Sequence, residues 1–292
     1  MDTLLAGLAV GAAYSLMAVG VVLIYRCTRA LSIAQGEIGA FALFVGLDWH
    51  KNGVWLIGYH ISAFSTLLVA VVLGALIAVA FERFVMRALV SRPPLDSLIA
   101  TLGLALVLAL AELKIFGKNP TDPGHPLGTW SFDVLGATLV IERVVAMVAA
   151  LVTVGAIAVF FRTTKFGLAV LATTSDPTVA KVLGVPVNRV YVFAWAIGGV
   201  LSGLAASLLA PSFGTLVPFG QTRFALATLA GAVIGGLDSI EGAIIGSIIV
   251  GIVEAEVGTF FDSGTASLAI ALLVLGTLLA RPKGLLGREA LA

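Results

Sequence analysis

Apolar residues run in long charge-free blocks along this chain. Five of them, residues 3–25, 52–81, 144–161, 190–222 and 263–280, reach or approach the roughly 20 residues that a helix needs to cross about 30 Å of hydrocarbon. Four shorter blocks lie between them, at 38–47, 97–111, 224–237 and 242–253. No stretch alternates polar and apolar positions over about ten residues, as the strands of a membrane β-barrel do. The pattern predicts an all-α fold: a polytopic transmembrane helical bundle with short or broken helices, forming one domain over residues 1–292.

Composition agrees with that reading. The chain is 60% hydrophobic and 11% charged, whereas a soluble domain carries about 25% charged residues. The N-terminus has no basic stretch and no small-residue cleavage site, so the first block is expected to be a retained span. Cys27 is the single cysteine, which rules out an intrachain disulfide and a zinc site of paired cysteines.

The placement of charge adds an orientation. With alternating spans and the N-terminus outside, Arg26, Arg29, Arg83, Arg87, Arg92, Arg162, Lys165, Lys181, Arg189, Arg281, Lys283 and Arg288 share one side. Lys51, Lys114, Lys118, Arg143 and Arg223 fall on the other. The basic excess marks the cytoplasmic face, which puts the C-terminus and the loop at about 162–189 inside. The number of crossings is then odd: nine if every short block spans, seven if two do not. The external loop 117–142, with Pro120, Pro123 and Pro126, reads either as an ordered cap or docking surface or as a plain connector.

Lipid gives helices no hydrophobic reason to associate, so close backbone approach has to supply the contact. Gly7/Gly11, Gly199/Gly203, Gly231/Gly235 and Gly242/Gly246 have the right spacing. In a chain with 33 glycines some pairs arise by chance, and packing roles are expected for about half.

Three polar stretches carry candidate function. The first is Ser32-Ile33-Ala34-Gln35-Gly36-Glu37. Ser32 and Gln35 have capping-box spacing and Glu37 suits a helix start, so the segment either opens the second span at the cytoplasmic interface or borders a polar path. The second is Asp176-Pro177-Thr178-Val179-Ala180-Lys181-Val182-Leu183-Gly184-Val185. Asp176 can cap, Pro177 suits the first helical position, and Gly184 with Pro186 ends the helix. About two turns result, with Val179, Val182 and Leu183 on one side and Lys181 elsewhere. Such a helix is either a stiff docking knob or an amphipathic turn lying on the bilayer. The third, Gly235-Gly236-Leu237-Asp238-Ser239-Ile240-Glu241-Gly242, reads as a tight charged turn.

Two shorter signals complete the reading. Ile99-Ala100-Thr101-Leu102-Gly103 and Leu226-Ala227-Thr228-Leu229-Ala230 open two short blocks that cross in opposite directions, a possible inverted repeat. Thr101 and Thr228 are therefore candidate pathway residues, each alternatively bonded to its own helix backbone. Glu254 and Glu256 are expected in the exposed headgroup zone, leaving Glu37 as the main buried acid. The chain has no Gly-x-x-x-x-Gly-Lys nucleotide loop, no His-Glu-x-x-His and no Gly-x-Ser-x-Gly. No enzyme activity, catalytic residue, metal site or nucleic-acid partner is expected.

In this order the three stretches resemble the permease subunits of branched-chain amino acid ABC importers, most closely the shorter, H-type of the two paired permeases. The resemblance runs from Gly7 to Gly287 and includes the closing Arg281-Pro282-Lys283-Gly284-Leu285-Leu286-Gly287. Such permeases commonly read Asn-Phe-Ala-His-Gly-Glu where this chain keeps Ala34, Gly36 and Glu37 but has Ser32 and Gln35. The resemblance implies that Asp176, Ala180, Leu183 and Gly184 match a coupling helix seated in an ATPase groove, with Val179 and Val182 beside them. Leu168 and Leu171 stand where relatives often have arginine, and Asp238 where they often have glycine. It also implies a second related permease, two ATPase subunits that bind the ATP, an external solute-binding protein and a prokaryotic cytoplasmic membrane. The cargo would be an amino acid, expected to be branched-chain, or a similar small polar solute. The competing reading is a self-sufficient secondary transporter or channel with its own coupling-ion site, for which Glu37 is the main candidate.

Overall fold

The computed structural model describes residues 2–54, 58, 60–90, 92–123, 130–134, 137–213, 216–217, 222–261 and 263–287. Every one of the nine apolar blocks lies largely in a helix. The chain runs α1 (Asp2–Thr28), α2 (Gln35–Asn52), α3 (Ala63–Phe81), a π-helical turn (Glu82–Met86) leading into α4 (Arg87–Leu89), and α5 (Pro94–Phe116). A hairpin of β1 (Ser131–Val134) and β2 (Ala137–Val140) precedes α6 (Ile141–Thr163). Then come α7 (Lys165–Ser175), α8 (Pro177–Val182), α9 (Val187–Leu209), a 3-10 turn (Ala210–Phe213), α10 (Thr222–Gly235), α11 (Ile240–Phe260) and α12 (Ser263–Ala280).

Six helices among the described residues are long and apolar enough to cross a membrane, and α10 and α12 are shorter apolar ones. Two blocks that look short in sequence belong to long helices, α5 with 23 residues and α11 with 21. Their apolar runs are cut by Glu112 and Glu254, and both carboxylates are buried rather than marking a water boundary. In the opposite sense, the block at 190–222 outlasts its helix, because α9 gives way to a tighter 3-10 turn containing Pro211, whose ring and missing N–H oppose continued α-helix.

The core forms around α1, which packs on α6, α9, α10 and α11. All four glycine pairs sit at helix crossings. A Cβ on Gly7 would lie 2.8 Å from the Ile252 Cα, and one on Gly11 would lie 2.7 Å from the Ile248 Cα. Gly199 and Gly203 press on the backbone of Gly74 and Ala70 in α3. Gly235 meets Gly242, and Gly231 meets Gly246 and Ser247, where α10 folds back on α11.

The two ends of the bundle differ in charge. At one end Arg29 pairs with Asp238 at 3.3 Å, tying the loop after α1 to the α10–α11 turn. The tail returns there too, with the Leu285 N–H donating to the Ile234 carbonyl at 2.8 Å. Arg26, Arg92, Thr173 and Pro177 border a single cleft at this basic end. At the opposite end Lys51 donates to the Asp122 carbonyl at 2.7 Å, and Thr121 exchanges backbone bonds with Leu216. The described residues of the loop 117–142 hold this bridge and an antiparallel hairpin with Ser131 opposite Val140, which the apolar pattern had not revealed. His125, Pro126 and Arg288 lie outside the described residues.

Candidate functional site

Two features hold the polar stretches singled out above. The first is the segment joining α6 to α9. Thr164 caps α7 by accepting from the Gly167 N–H at 3.1 Å, and Gly167 lies against the Phe161 backbone, which makes the α6–α7 turn tight. Asp176 caps α8, its Oδ1 accepting from the N–H groups of Thr178 at 2.7 Å and Val179 at 3.0 Å. Pro177 occupies the first turn, where its missing N–H costs nothing. Gly184, at φ +82°, reverses the chain, and the Val185 N–H returns to the Ala180 carbonyl at 2.9 Å.

The six-residue helix has two distinct sides. Ala180 is 1% exposed and packs with Leu23, Cys27, Val187, Val190 and Tyr191 of α1 and α9. Val182 and Leu183 are 83% and 75% exposed, with Val179 beside them. Ala180 is therefore the anchor of α8, while its three neighbours form the free face. A groove of about 430 Å³ runs between α7, the helix leading into α8, and the α10–α11 turn, lined by Phe161, Leu168, Leu171, Arg162, Asp238 and Glu241. Leu168 and Leu171, at positions where relatives were expected to carry arginine, are exposed on α7.

The second feature is a polar seam inside the bundle. The segment after Thr28 does not leave the protein. Arg29 takes a left-handed conformation at φ +55°, and Ala30, Ser32 and Ala34 are buried. Ser202 Oγ donates to Gln35 Oε1, and Gln35 Nε2 donates to Ser32 Oγ at 3.4 Å. Thr101 Oγ1 reaches the carbonyls of Leu98 at 3.0 Å and Leu31 at 3.2 Å. Ser202 is the sixteenth residue of α9, about 22 Å along it from the basic end at 1.5 Å per residue. Gln35 therefore lies deep in the bundle.

This corrects the expected capping box. The position before α2 is Ala34, with no side-chain cap, because Ser32 accepts from the Gln35 side chain and Gln35 is turned across to Ser202. Gly36 lies against Ala225 of α10, Gly39 against the Ser202 carbonyl, and Glu37 is buried in the first turn of α2. Thr228 is on the same helix as Ala225, buried, its hydroxyl without a hydrogen-bond partner among the described residues. The structure thus joins Ser32, Gln35 and Ser202 directly, while Thr101 bonds the backbone of the same segment at Leu31. Gly36 belongs to the α2–α10 contact beside them, and Glu37 and Thr228 are buried on those two helices.

The expectation of a single main buried acid is also corrected. Glu82, Glu112 and Glu254 are buried as well as Glu37. Glu254 accepts from the Tyr14 hydroxyl at 2.7 Å and from Arg223 at 3.0 Å, so it is not the exposed headgroup residue expected, and Glu256 accepts from Thr3 at 2.7 Å. Arg87 donates to Glu82 at 3.2 Å. Ser202 and Tyr14 escaped the sequence reading because neither stands in a polar stretch; the Gly199/Gly203 pair flanking Ser202 was the only nearby signal.

The comparisons with known proteins agree with this architecture. A family model described as the permease component of branched-chain amino acid transport systems matches residues 3–280. The high-affinity branched-chain amino acid transport system permease protein LivH of Escherichia coli K12 is 25% identical over 97% of this chain and 94% of its own length. The probable branched-chain amino acid transport permease protein LivH of Methanocaldococcus jannaschii is 28% identical over 93% and 88%. A putative metal-chelate type ABC transporter solved in an inward-facing conformation shares the fold, with a TM-score of 0.52 at 17% identity over 96% of this chain and 85% of that one.

Proposed function

Since the chain belongs to the branched-chain amino acid transport permease family, we propose that it is the membrane-embedded permease subunit of an ATP-binding-cassette importer. Its cargo is an amino acid, in the first instance a branched-chain one, and partner ATPases supply the energy. One observation carries the reading: α8 is capped at both ends, anchored by buried Ala180, and presents Val179, Val182 and Leu183 to solvent. Apolar side chains held outward on a preordered helix cost little further ordering on docking. The adjoining groove gives an ATPase surface a second contact. The basic end is the cytoplasmic face, since the basic excess gathers there, and the N-terminus is outside.

In operation, two such permeases, this chain and a related second one, enclose the path, and an external binding protein delivers solute to it. Nucleotide is bound by the ATPases, whose closure draws on α8. Ser32, Gln35, Thr101 and Ser202, with Gly36, Glu37 and Thr228 beside them, line or gate the path with uncharged donors and acceptors next to one carboxylate. Purification of the tagged chain from its native membrane tests the assignment. ATPase subunits and a second permease are expected to accompany it, and uptake in vesicles is expected to stop on ATP depletion. Uptake that persists on a proton or sodium gradient alone would overturn it in favour of a secondary transporter.

A further inference from the structure

A groove of about 430 Å³ opens on the outside of the bundle at the basic end, between the π-helical turn, α7 and α9. Its upper rim carries Arg83, Arg87, Arg189 and Asn188, and its floor is apolar, made by Val192, Phe193 and Ala196 of α9 with Phe166 of α7. Phe166 and Phe193 are in ring contact at 4.2 Å, which fixes that floor. The rim lies at the last turns of the candidate span Phe64–Leu89 and the first of Val187–Leu209.

The π turn is what arranges the cations. In an α-helix, residues five apart are about 140° apart around the axis. The wider turn brings Glu82 and Arg87 together, with Nη2 of Arg87 donating at 3.2 Å. That ion pair satisfies one guanidinium only in part, because Arg87 Nε is buried without an acceptor. Arg83 and Arg189 are exposed, and no acid lines the groove. Three guanidiniums against one carboxylate leave the rim with a net positive charge above a strip of apolar side chains.

We propose that this groove binds one anionic phospholipid of the cytoplasmic leaflet, the phosphate on Arg83, Arg189 and Asn188 and an acyl chain along Val192 and Ala196. Basic pockets at the inner ends of spanning helices have the charge to select such headgroups. The proposal takes its leaflet from the orientation argued above. Because α9 begins immediately after α8 and Gly184, the lipid would also brace the base of the docking knob.

The test uses the tagged chain purified in mild detergent with whatever subunits accompany it, delipidated and titrated with phosphatidylglycerol, phosphatidylcholine or inorganic phosphate. Native mass spectrometry reads retained lipid. Two uncompensated guanidiniums predict about a thirtyfold preference for phosphatidylglycerol over phosphatidylcholine. Arg83→Gln with Arg189→Gln should reduce this below about threefold, while Arg83→Lys with Arg189→Lys, a check on folding, should largely keep it. Equal retention of the two lipids, or an unchanged preference in the Gln pair, would sink the proposal. So would displacement of phosphatidylglycerol by millimolar phosphate, which marks a soluble-anion site, or loss of retention once a second permease is assembled, which marks a protein interface. Lipid retention needs neither ATP nor cargo, so this result and the importer assignment can fail separately.

Discussion

Val182 and Leu183 offer the sharpest test of how this chain is driven. Both are largely exposed, at 83% and 75%, so neither contributes much to the stability of the permease itself. Seated in a partner's groove, each would be removed from water, and full burial of such a side chain contributes about 1.5–3 kcal/mol. Truncating both to alanine leaves the Cβ atoms in place and should therefore remove about 2–4 kcal/mol of docking free energy, a roughly 30- to 1,000-fold loss of affinity. Val182→Asp with Leu183→Asp should abolish docking, because two carboxylates would have to be desolvated without partners. The assay is retention of ATPase subunits on the tagged permease after washing, with thermal unfolding of the permease measured in parallel. The reasoning predicts lost retention with an unchanged melting temperature. Full retention by the Asp pair would refute the docking role of α8. A melting temperature lowered by several degrees would show instead that the two side chains pack within the chain.

The remaining predictions concern the interior. Gly11→Ala sets a Cβ 2.7 Å from the Ile248 Cα; forcing α1 and α11 apart should cost about 1–3 kcal/mol, read as a lower unfolding temperature in detergent. Glu254→Ala leaves the buried Tyr14 hydroxyl and Arg223 without their acceptor and should destabilise by about 2 kcal/mol, whereas Glu254→Gln, which still accepts, should cost less. Glu37→Gln should depress solute uptake in vesicles while membrane insertion and ATPase retention stay intact, and wild-type uptake would leave Glu37 as a helix-start residue alone.

What could be read from sequence follows the range of the interactions. The caps of α8 were legible because Asp176, Pro177 and Gly184 act within three residues of the atoms they satisfy. The glycine crossings were legible as spacing, although which helix each pair meets was not. Helix ends at Glu112 and Glu254 were misplaced because a carboxylate in sequence looks like a water boundary until its partner is known. Glu254 has that partner in Tyr14, 240 residues earlier in the chain. The depth of Gln35 was hidden for the same reason: Ser202 is 167 residues away, and only the folded chain shows that the Gln35 amide is turned inward to it instead of closing a cap at the membrane surface.

That inward turn puts the seam on the same two helices that α8 rests on. Ala180 rests on the end of α1 and the beginning of α9. Each of those helices then leads to one side of the polar seam: α1 runs into the buried segment that carries Ser32 and Gln35, and α9 carries Ser202. Between α8 and the seam α9 is an unbroken helix, packed through Gly198 and Gly199 against Gly20 and Gly74 and through buried Tyr191 and Trp195. In the proposed mechanism a pull on α8 passes along α9, past the packed side chains of Tyr191, Phe193 and Trp195, to the Gln35–Ser202 hydrogen bond. Breaking a buried amide–hydroxyl pair costs on the order of 1–3 kcal/mol, which is within what differential ligand binding can supply to shift an equilibrium.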